Sequence, residues 1–307
     1  MNKAFLALIG LLLLSAPAHA AETAPRKAGF VGDVDVATSY NYAGARVRTR
    51  IAWSIPLYEN AHRALAKNDI RFGLHTNVTP AGANLGAYVQ VQPASFFYAG
   101  TSYRYRLYAP VFTNGAMFRD TDQSATLDRY DGFDSHSAGQ DEIVDLRDRV
   151  WAEDGRQAFG AHLLSAWGRL QFQVGPVFAL VHGDVTRFWA TLPAGHDAYF
   201  DPYIDAYLGR DETVVQINGV LGLELGDVRL LSVVTSRRPL ELGSHNLSLG
   251  PGAKWTFAKR WWGIDKPAVA LVLRWYLKHR WRGNDGVPWV AIAFSGTFKL
   301  GSSEAPG

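Results

Sequence analysis

Cysteine is absent from all 307 residues. That excludes disulfides, zinc-thiolate centres and iron–sulfur clusters, so an exported chain of this composition must hold together by burial or by backbone hydrogen bonding. Long apolar runs are also missing once the N-terminus is passed: no later segment approaches the roughly 18 to 20 consecutive apolar residues of a membrane helix. If the chain crosses a membrane, it does so with strands. Neither sign of charge dominates, with 31 Lys and Arg against 28 Asp and Glu, which gives no reason to expect a nucleic-acid partner. HExxH, a phosphate-binding loop and a dinucleotide fingerprint do not occur.

What is present begins with Lys3, an apolar run from Ala4 to Leu14 and the small-residue triplet Ala18-His19-Ala20. Together they read as a secretory signal peptide over residues 1–20. The remainder shows no linker, low-complexity tract or long-period repeat, and reads as one domain over 21–300 with a short tail over 301–307.

Period-two alternation dominates that domain. The stretch RVRTRIAWSIPL puts Arg46, Arg48 and Arg50 on one face and Val47, Thr49, Ile51, Trp53, Ile55 and Leu57 on the other. Similar alternation recurs around Ile70 to Val78, Leu85 to Gln92, Ser102 to Leu107, Val215 to Glu224, Leu247 to Phe257, Val269 to Lys278 and Val290 to Lys299. A further segment sets Phe172, Val174, Phe178 and Leu180 against Gln171, Gln173 and Gly175. With a weaker first strand around Val34 to Tyr42, the count is about twelve strands of about ten residues, the length a tilted membrane-spanning strand needs.

Short connections near Pro93-Ala94, Gly168-Arg169 and Gly226-Asp227 are interleaved with long ones at roughly 109–156 and 184–212. With an even strand number, this places both termini on the side of the short turns. Two connections read as short helices, one capped by Asn60 over Ala61 to Lys67, the other running from Asp201-Pro202 to a stop at Gly209. A secreted β-sandwich would alternate too. Against it stand the strand lengths, the Gly, Ser and Gln on the polar faces, and Tyr40, Tyr42, Tyr103, Tyr105, Trp261, Trp262 and Trp281 at strand ends, where an aromatic girdle belongs.

In these features the chain resembles the Gram-negative outer-membrane β-barrel proteins, the porin-like and enzyme barrels of ten to fourteen strands. The resemblance implies an all-β fold, a single transmembrane antiparallel β-barrel with both termini in the periplasm, and an outer-membrane location. It also implies contact with the lipid bilayer and lipopolysaccharide, and insertion by the barrel-assembly machinery. The chain departs from the usual pattern at its end, where Phe298 is followed by Lys299, Leu300 and the tail instead of closing the sequence.

In such a barrel lipid takes the apolar face and the lumen takes the arginines, since an arginine turned to mid-bilayer lipid costs roughly 2 to 4 kcal/mol. Strand parity sends Arg48, Arg50, Arg104, Arg106, Arg274 and Lys278 into the lumen, with Arg71, Arg229 and Lys254 lining the rest. The connection from Ala109 to Gln157 has the opposite bias, eleven acids against five arginines. Its Asp120, Asp122, Asp128, Asp131, Asp134, Asp141 and Glu142 are expected to fold inward and form a charged constriction with the arginine cluster. The alternative pairs the arginines with Asp33, Asp35, Glu224 or water. The acids do not match a calcium-loop spacing, and no metal or cofactor is expected. In the second long connection, Trp189, Tyr199, Tyr203 and Tyr207 could stack on sugar rings or rest on lipopolysaccharide, or the loop could pack on itself.

The function these readings favour is a narrow channel for passive diffusion or uptake of small solutes, with a preference for anions if the lumen arginines outnumber the acids that fold against them. A lipid or peptide hydrolase is the first alternative. It would need more than His136-Ser137, Ser244-His245 with Ser248, His182 with Asp184 or His196 with Asp197. The second is a closed barrel working as a structural or binding protein through its two long loops.

Overall fold

In the computed structural model the described residues are 28–40, 44–59, 62, 64–65, 68–79, 82–109, 117–119, 158–194, 196–201, 203–243, 245–258, 264–278 and 288–300. The proposed signal peptide, the C-terminal tail and nearly all of the acidic connection lie outside them. The strands in chain order are β1 (Gly29–Tyr40), β2 (Gly44–Pro56), β3 (Asp69–Thr79), β4 (Gly82–Ala94), β5 (Phe97–Tyr108), β6 (Met117–Arg119), β7 (Phe159–Val174) and β8 (Val177–Thr191), then β9 (His196–Asp201), β10 (Ala206–Gly209), β11 (Asp211–Leu225), β12 (Val228–Pro239), β13 (Asn246–Thr256), β14 (Asp265–Lys278) and β15 (Trp289–Leu300). Twelve of them close an antiparallel barrel in which β1 pairs with both β2 and β15. The small strands β6, β9 and β10 form a separate sheet of three.

Closure removes every sheet edge, so each strand satisfies its backbone groups against two neighbours without water. The side chains then sort by parity. Phe72, Leu74 and Val78 of β3, Leu85 of β4, and Tyr103, Tyr105 and Leu107 of β5 point outward and are exposed. Arg71, His75, Asn84, Tyr88, Arg104 and Arg106 occupy the alternate, inward positions. An exposed belt of Leu, Val and Ile with basic residues behind it inverts the usual soluble pattern. A wall of this kind has lipid as its solvent. Aromatics flank the belt: Phe30, Trp53, Phe72, Phe172 and Trp255 toward the end that holds the short turns, and Tyr103, Tyr105 and Trp189 toward the other. Phe30 and Trp53 meet edge to face with centroids 4.8 Å apart.

The tight turns differ from expectation at one place. Gly168-Arg169 lies inside β7, and the chain reverses at Gly175-Pro176, where Gly175 has φ +57. The equivalent Gly226-Asp227 turn has φ +63 at its glycine, a value that residues with a Cβ adopt at a cost. Moving the turn changes the parity beyond it. Phe178 pairs with Gln173 and Val177 with Val174, so Phe178 and Leu180 face the lumen, and Val181, Val185 and Trp189 take the outward positions. Phe178 packs against the inward Arg229, the guanidinium lying 5.3 Å from the ring centre.

Neither anticipated helix is present among the described residues. Near the first, His62, Ala64 and Leu65 form a turn, while Asn60 and Ala61 lie outside the described set. In the second, Asp201 does cap backbone N–H groups: its Oδ1 accepts from the amides of Tyr203 at 2.7 Å and Ile204 at 3.2 Å. The chain then turns back through Asp205 at φ +59 and enters β10. The cap signal was present, but it serves a hairpin.

Candidate functional site: the arginine wall and the hairpin across the mouth

The inward face of β2 to β5 is built in registered rows. Arg50 stands opposite His75, His75 opposite Gly86, and Gly86 opposite Arg104. The next row, nearer the long loops, runs Arg48, Asn77, Asn84, Arg106. Four of the six basic residues anticipated for the lumen therefore lie on one contiguous wall. Arg274 faces inward elsewhere, on β14, with its guanidinium 4.0 Å from the Trp289 ring centre and NH1 donating to Thr235 Oγ1 at 3.0 Å. Lys278 is displaced: a bulge between Leu247 and Ser248 sets it opposite the outward Leu247, and it is exposed at the rim. Arg237, which the pattern of β12 did not bring out, also faces inward and donates to Gln216 Oε1 at 3.1 Å and to the Ile204 carbonyl at 2.8 Å.

Carboxylates meet only part of this charge. Asp35 on β1 accepts from Arg46 at 2.9 Å and lies 3.8 Å from Arg48. Glu224 pairs with Arg229 at 2.6 Å, and Asp69 with Arg71 at 2.9 Å. These are pairings of the alternative kind, acids of the barrel wall answering its own arginines. Arg104 bonds the neutral hydroxyl of Ser165, which in turn shares a hydrogen bond of 2.7 Å with Thr186.

Arg106 is answered from above the wall. Asp201, fully buried, accepts from Arg106 NH1 at 2.5 Å and from the Tyr108 hydroxyl at 2.7 Å. Tyr203 lays its ring over the guanidinium at 4.1 Å from the centroid, a cation–π contact. Its hydroxyl donates to the Gly82 carbonyl at 3.0 Å. On the far side of the ring of strands, Asn246 Nδ2 donates to the Asp205 carbonyl at 2.7 Å and the Tyr276 hydroxyl to Asp205 Oδ2 at 2.5 Å. The tip of the β9–β10 hairpin thus bridges β4 and β5 to β12, β13 and β14, and crosses the mouth of the barrel. Behind the tip, Tyr108, Phe159, Leu163, Phe188, Tyr199, Ile204, Leu208 and Val214 form one buried apolar cluster. Burial pushes the phenols of Tyr199 and Tyr203 up, against the lowering effect of Arg106, and both remain neutral hydroxyls at ordinary pH.

An inward-folded segment that answers one lumen arginine, Arg106, with an acid, Asp201, does exist, supplied by the second long connection. The acids anticipated for that role, Asp120, Asp122, Asp128, Asp131, Asp134, Asp141 and Glu142, lie outside the described residues. Of the four aromatics considered for surface contact, Tyr199 is fully buried, so it packs the loop on itself. Tyr203 covers Arg106, Trp189 sits in the outward girdle, and the side chain of Tyr207 lies outside the described set. Nothing local in the sequence links Asp201 to Arg106, which are 95 positions apart. The available signal was the alternation of acids and aromatics over 196–209, which suits a segment buried against charged groups.

The catalytic pairings do not assemble into a triad among the described residues. His182 and Asp184 both face inward, but Asp184 Oδ1 accepts from Thr186 at 2.9 Å. His245 Nε2 lies 3.0 Å from Ser236 Oγ at the rim. His196, the first residue of β9, is buried. His136-Ser137 and Ser244 lie outside the described residues. No group of three or more His, Asp or Glu suited to a metal ion occurs among the described residues.

No protein-family model matches the chain, and no curated protein sequence matches it. Solved structures do. The β domain of the Bordetella autotransporter BrkA is 11% identical with a TM-score of 0.44, over 90% of this chain and 99% of that one. The NanC porin is 8% identical with a TM-score of 0.42, over 88% and 100%. OmpT, an outer membrane protein of Vibrio cholerae, is 6% identical with a TM-score of 0.34, over 89% and 99%. The chain itself is a closed twelve-strand antiparallel β-barrel with an apolar outward face.

Proposed function

We propose that this protein is a narrow outer-membrane channel that favours small anionic solutes. In this reading residues 1–20 direct export, both termini are periplasmic, the long loops face lipopolysaccharide, and the assembly machinery is the partner during insertion. The observation that carries it is the wall of β2 to β5: Arg48, Arg50 and Arg104 face the lumen, and among the described residues only Arg48 has a carboxylate within 4 Å, Asp35 at 3.8 Å. A low-dielectric tube lined by one sign of charge concentrates the opposite ion, and a solute anion exchanges water for guanidinium contacts as it passes. Arg106 contributes less to the filter than its neighbours because Asp201 neutralises it.

The test is single-channel recording of the refolded protein in a planar bilayer under a salt gradient. The reversal potential should show anion preference, and R48Q/R50Q/R104Q should move it toward zero. A conducting protein without anion preference, or a triple variant with unchanged selectivity, refutes the filter. The hairpin across the mouth favours one second reading, a closed barrel that works through its loops. Silence from a correctly folded barrel would select it.

A further inference from the structure

We propose that the wall of β2 to β5 holds a discrete binding site for one doubly charged oxyanion, with inorganic phosphate as the simplest member of the class. The inference rests on the channel reading for the ligand's route into the barrel, while binding itself stands on the local geometry.

Three arginines converge there. The register places Arg50, His75 and Arg104 in one row with Gly86 between the last two, and Arg48 and Asn84 in the row above. Gly86 is what lets Arg104 enter the cluster. A Cβ at that position would lie 2.5 Å from Arg104 Cγ, so the root of the arginine side chain takes part of the space a side chain would fill, and its guanidinium reaches Ser165 on β7. Arg50 flanks the same space, its guanidinium 5.8 Å from the Tyr88 ring centre, and the Tyr88 and His75 rings are 5.9 Å apart.

Several polar groups of this cluster lack partners among the described residues, donors of Arg50, Asn84 and Arg104 together with the acceptor Asn77 Oδ1. His75, Asn84 and Ser102 are 9%, 5% and 3% exposed. His75 Nε2, Asn84 Nδ2 and Ser102 Oγ have no hydrogen-bond partner, nor do the Nε groups of Arg50 and Arg104. Among the described residues no carboxylate comes within ion-pairing distance of Arg50 or Arg104. Asp33, in register with Arg50 on β1, makes no ion pair with it and accepts from Thr297 Oγ1 at 3.1 Å, while Asp35 is engaged by Arg46 and lies 3.8 Å from Arg48. Buried donors left without acceptors are rare in folded proteins and call for an explanation.

Arg106 shows how the same wall looks when the demand is met. Two residues along β5 from Arg104, it receives a carboxylate and a tyrosine hydroxyl. Among the described residues Arg104 receives only the neutral Ser165 hydroxyl and neither Arg50 nor Arg104 receives a carboxylate, so the partner that fits is an acceptor of high negative charge. A tetrahedral dianion offers oxygens to several guanidinium forks at once, whereas chloride or a lone carboxylate cannot reach them all. Access is from the lumen, where the Arg48 side chain remains 41% exposed.

Isothermal titration of the refolded full chain in detergent, with inorganic phosphate in chloride buffer, tests the site directly. One saturable phosphate site is expected, weakened at least tenfold in R50Q/R104Q, a change of the size that losing charged hydrogen bonds brings. Heat-modifiable migration confirms that the variant barrel is folded. S102A, which keeps every charge, serves as a second variant and should weaken binding less. Absence of phosphate binding to the folded wild type overturns the proposal, as does equal affinity in R50Q/R104Q. The two readings fail separately. Phosphate binding by a barrel that does not conduct retains the site and discards the channel, and an anion-selective channel whose R50Q/R104Q form still binds phosphate equally does the reverse.

Discussion

Replacing Asp201 by alanine removes more than one contact. Its carboxylate is fully buried and accepts four hydrogen bonds, from Arg106, Tyr108 and the amides of Tyr203 and Ile204. The substitution leaves Arg106, whose side chain is 5% exposed, as an unpaired buried cation. Breaking one side of such a pair costs about 3 to 5 kcal/mol. The barrel ladder does not pass through β9 or β10, so the cost has a cheaper outlet than global unfolding: the hairpin lifts and Arg106 is wetted. At about 1.4 kcal/mol per decade this shifts the docking equilibrium by roughly two to four decades. Hydrogen exchange at the Tyr203 and Ile204 amides should accelerate by at least about a hundredfold, with the melting temperature of the barrel little changed. D201N/R106Q should recover part of the protection, because the unpaired charge is gone. Unchanged protection in D201A would refute the assignment of Arg106 and Asp201 as the clasp of the hairpin, and so would unfolding of the whole barrel.

Three further outcomes are expected. L74R, at an outward position in the middle of β3 that is 59% exposed, should destabilise the barrel by about 2 to 4 kcal/mol in lipid vesicles, read from urea unfolding. The Glu241 carboxyl in the β12–β13 loop is pushed up slightly by burial, but hydrogen bonds from Glu212, the Thr213 amide and the Thr213 hydroxyl outweigh this and hold it at about 2. A depressed carboxylate stabilises above its ordinary pKa and stops doing so as pH falls through the folded value. Protection of the Thr213 amide, corrected for intrinsic exchange, should therefore decline between roughly pH 4.5 and 2, and E241Q should be flat. On the far wall, N246A should loosen the hairpin more than Y276F by proteolysis, because a buried amide anchors the Asp205 backbone while Tyr276 reaches its side chain.

Most of the barrel was legible because lipid and lumen impose opposite demands on alternate residues, and a strand meets both with period two. The failures are equally physical. Period-two reading fixes parity only between turns. Gly168 and Arg169 looked like a turn because glycine beside a charge usually marks one, yet β7 runs through them to Gly175, and Phe178 and Leu180 were assigned to the wrong face. The bulge opposite Lys278 acts in the same way over a shorter distance. At 201–209 the capping chemistry was real, and what the sequence concealed was the left-handed Asp205 that turns the chain back into a strand.

The electrostatics of the lumen depend on how far the hairpin tip reaches. Asp201 descends to the level of Arg106, and the neighbouring row of Arg50, His75 and Arg104 receives no acid from it. Had the tip extended one more residue pair into the barrel, its acid would come to the level of Arg104 and lower the net positive charge of the wall by one. The hairpin therefore leaves the cationic charge of the lower row intact while occupying part of the opening above it. Under the proposed channel reading, its length sets both how narrow the mouth is and how much of the arginine wall is left without an acid. A substitution that releases the tip should thus widen the mouth and, by freeing Arg106 from Asp201, add a cation to the wall.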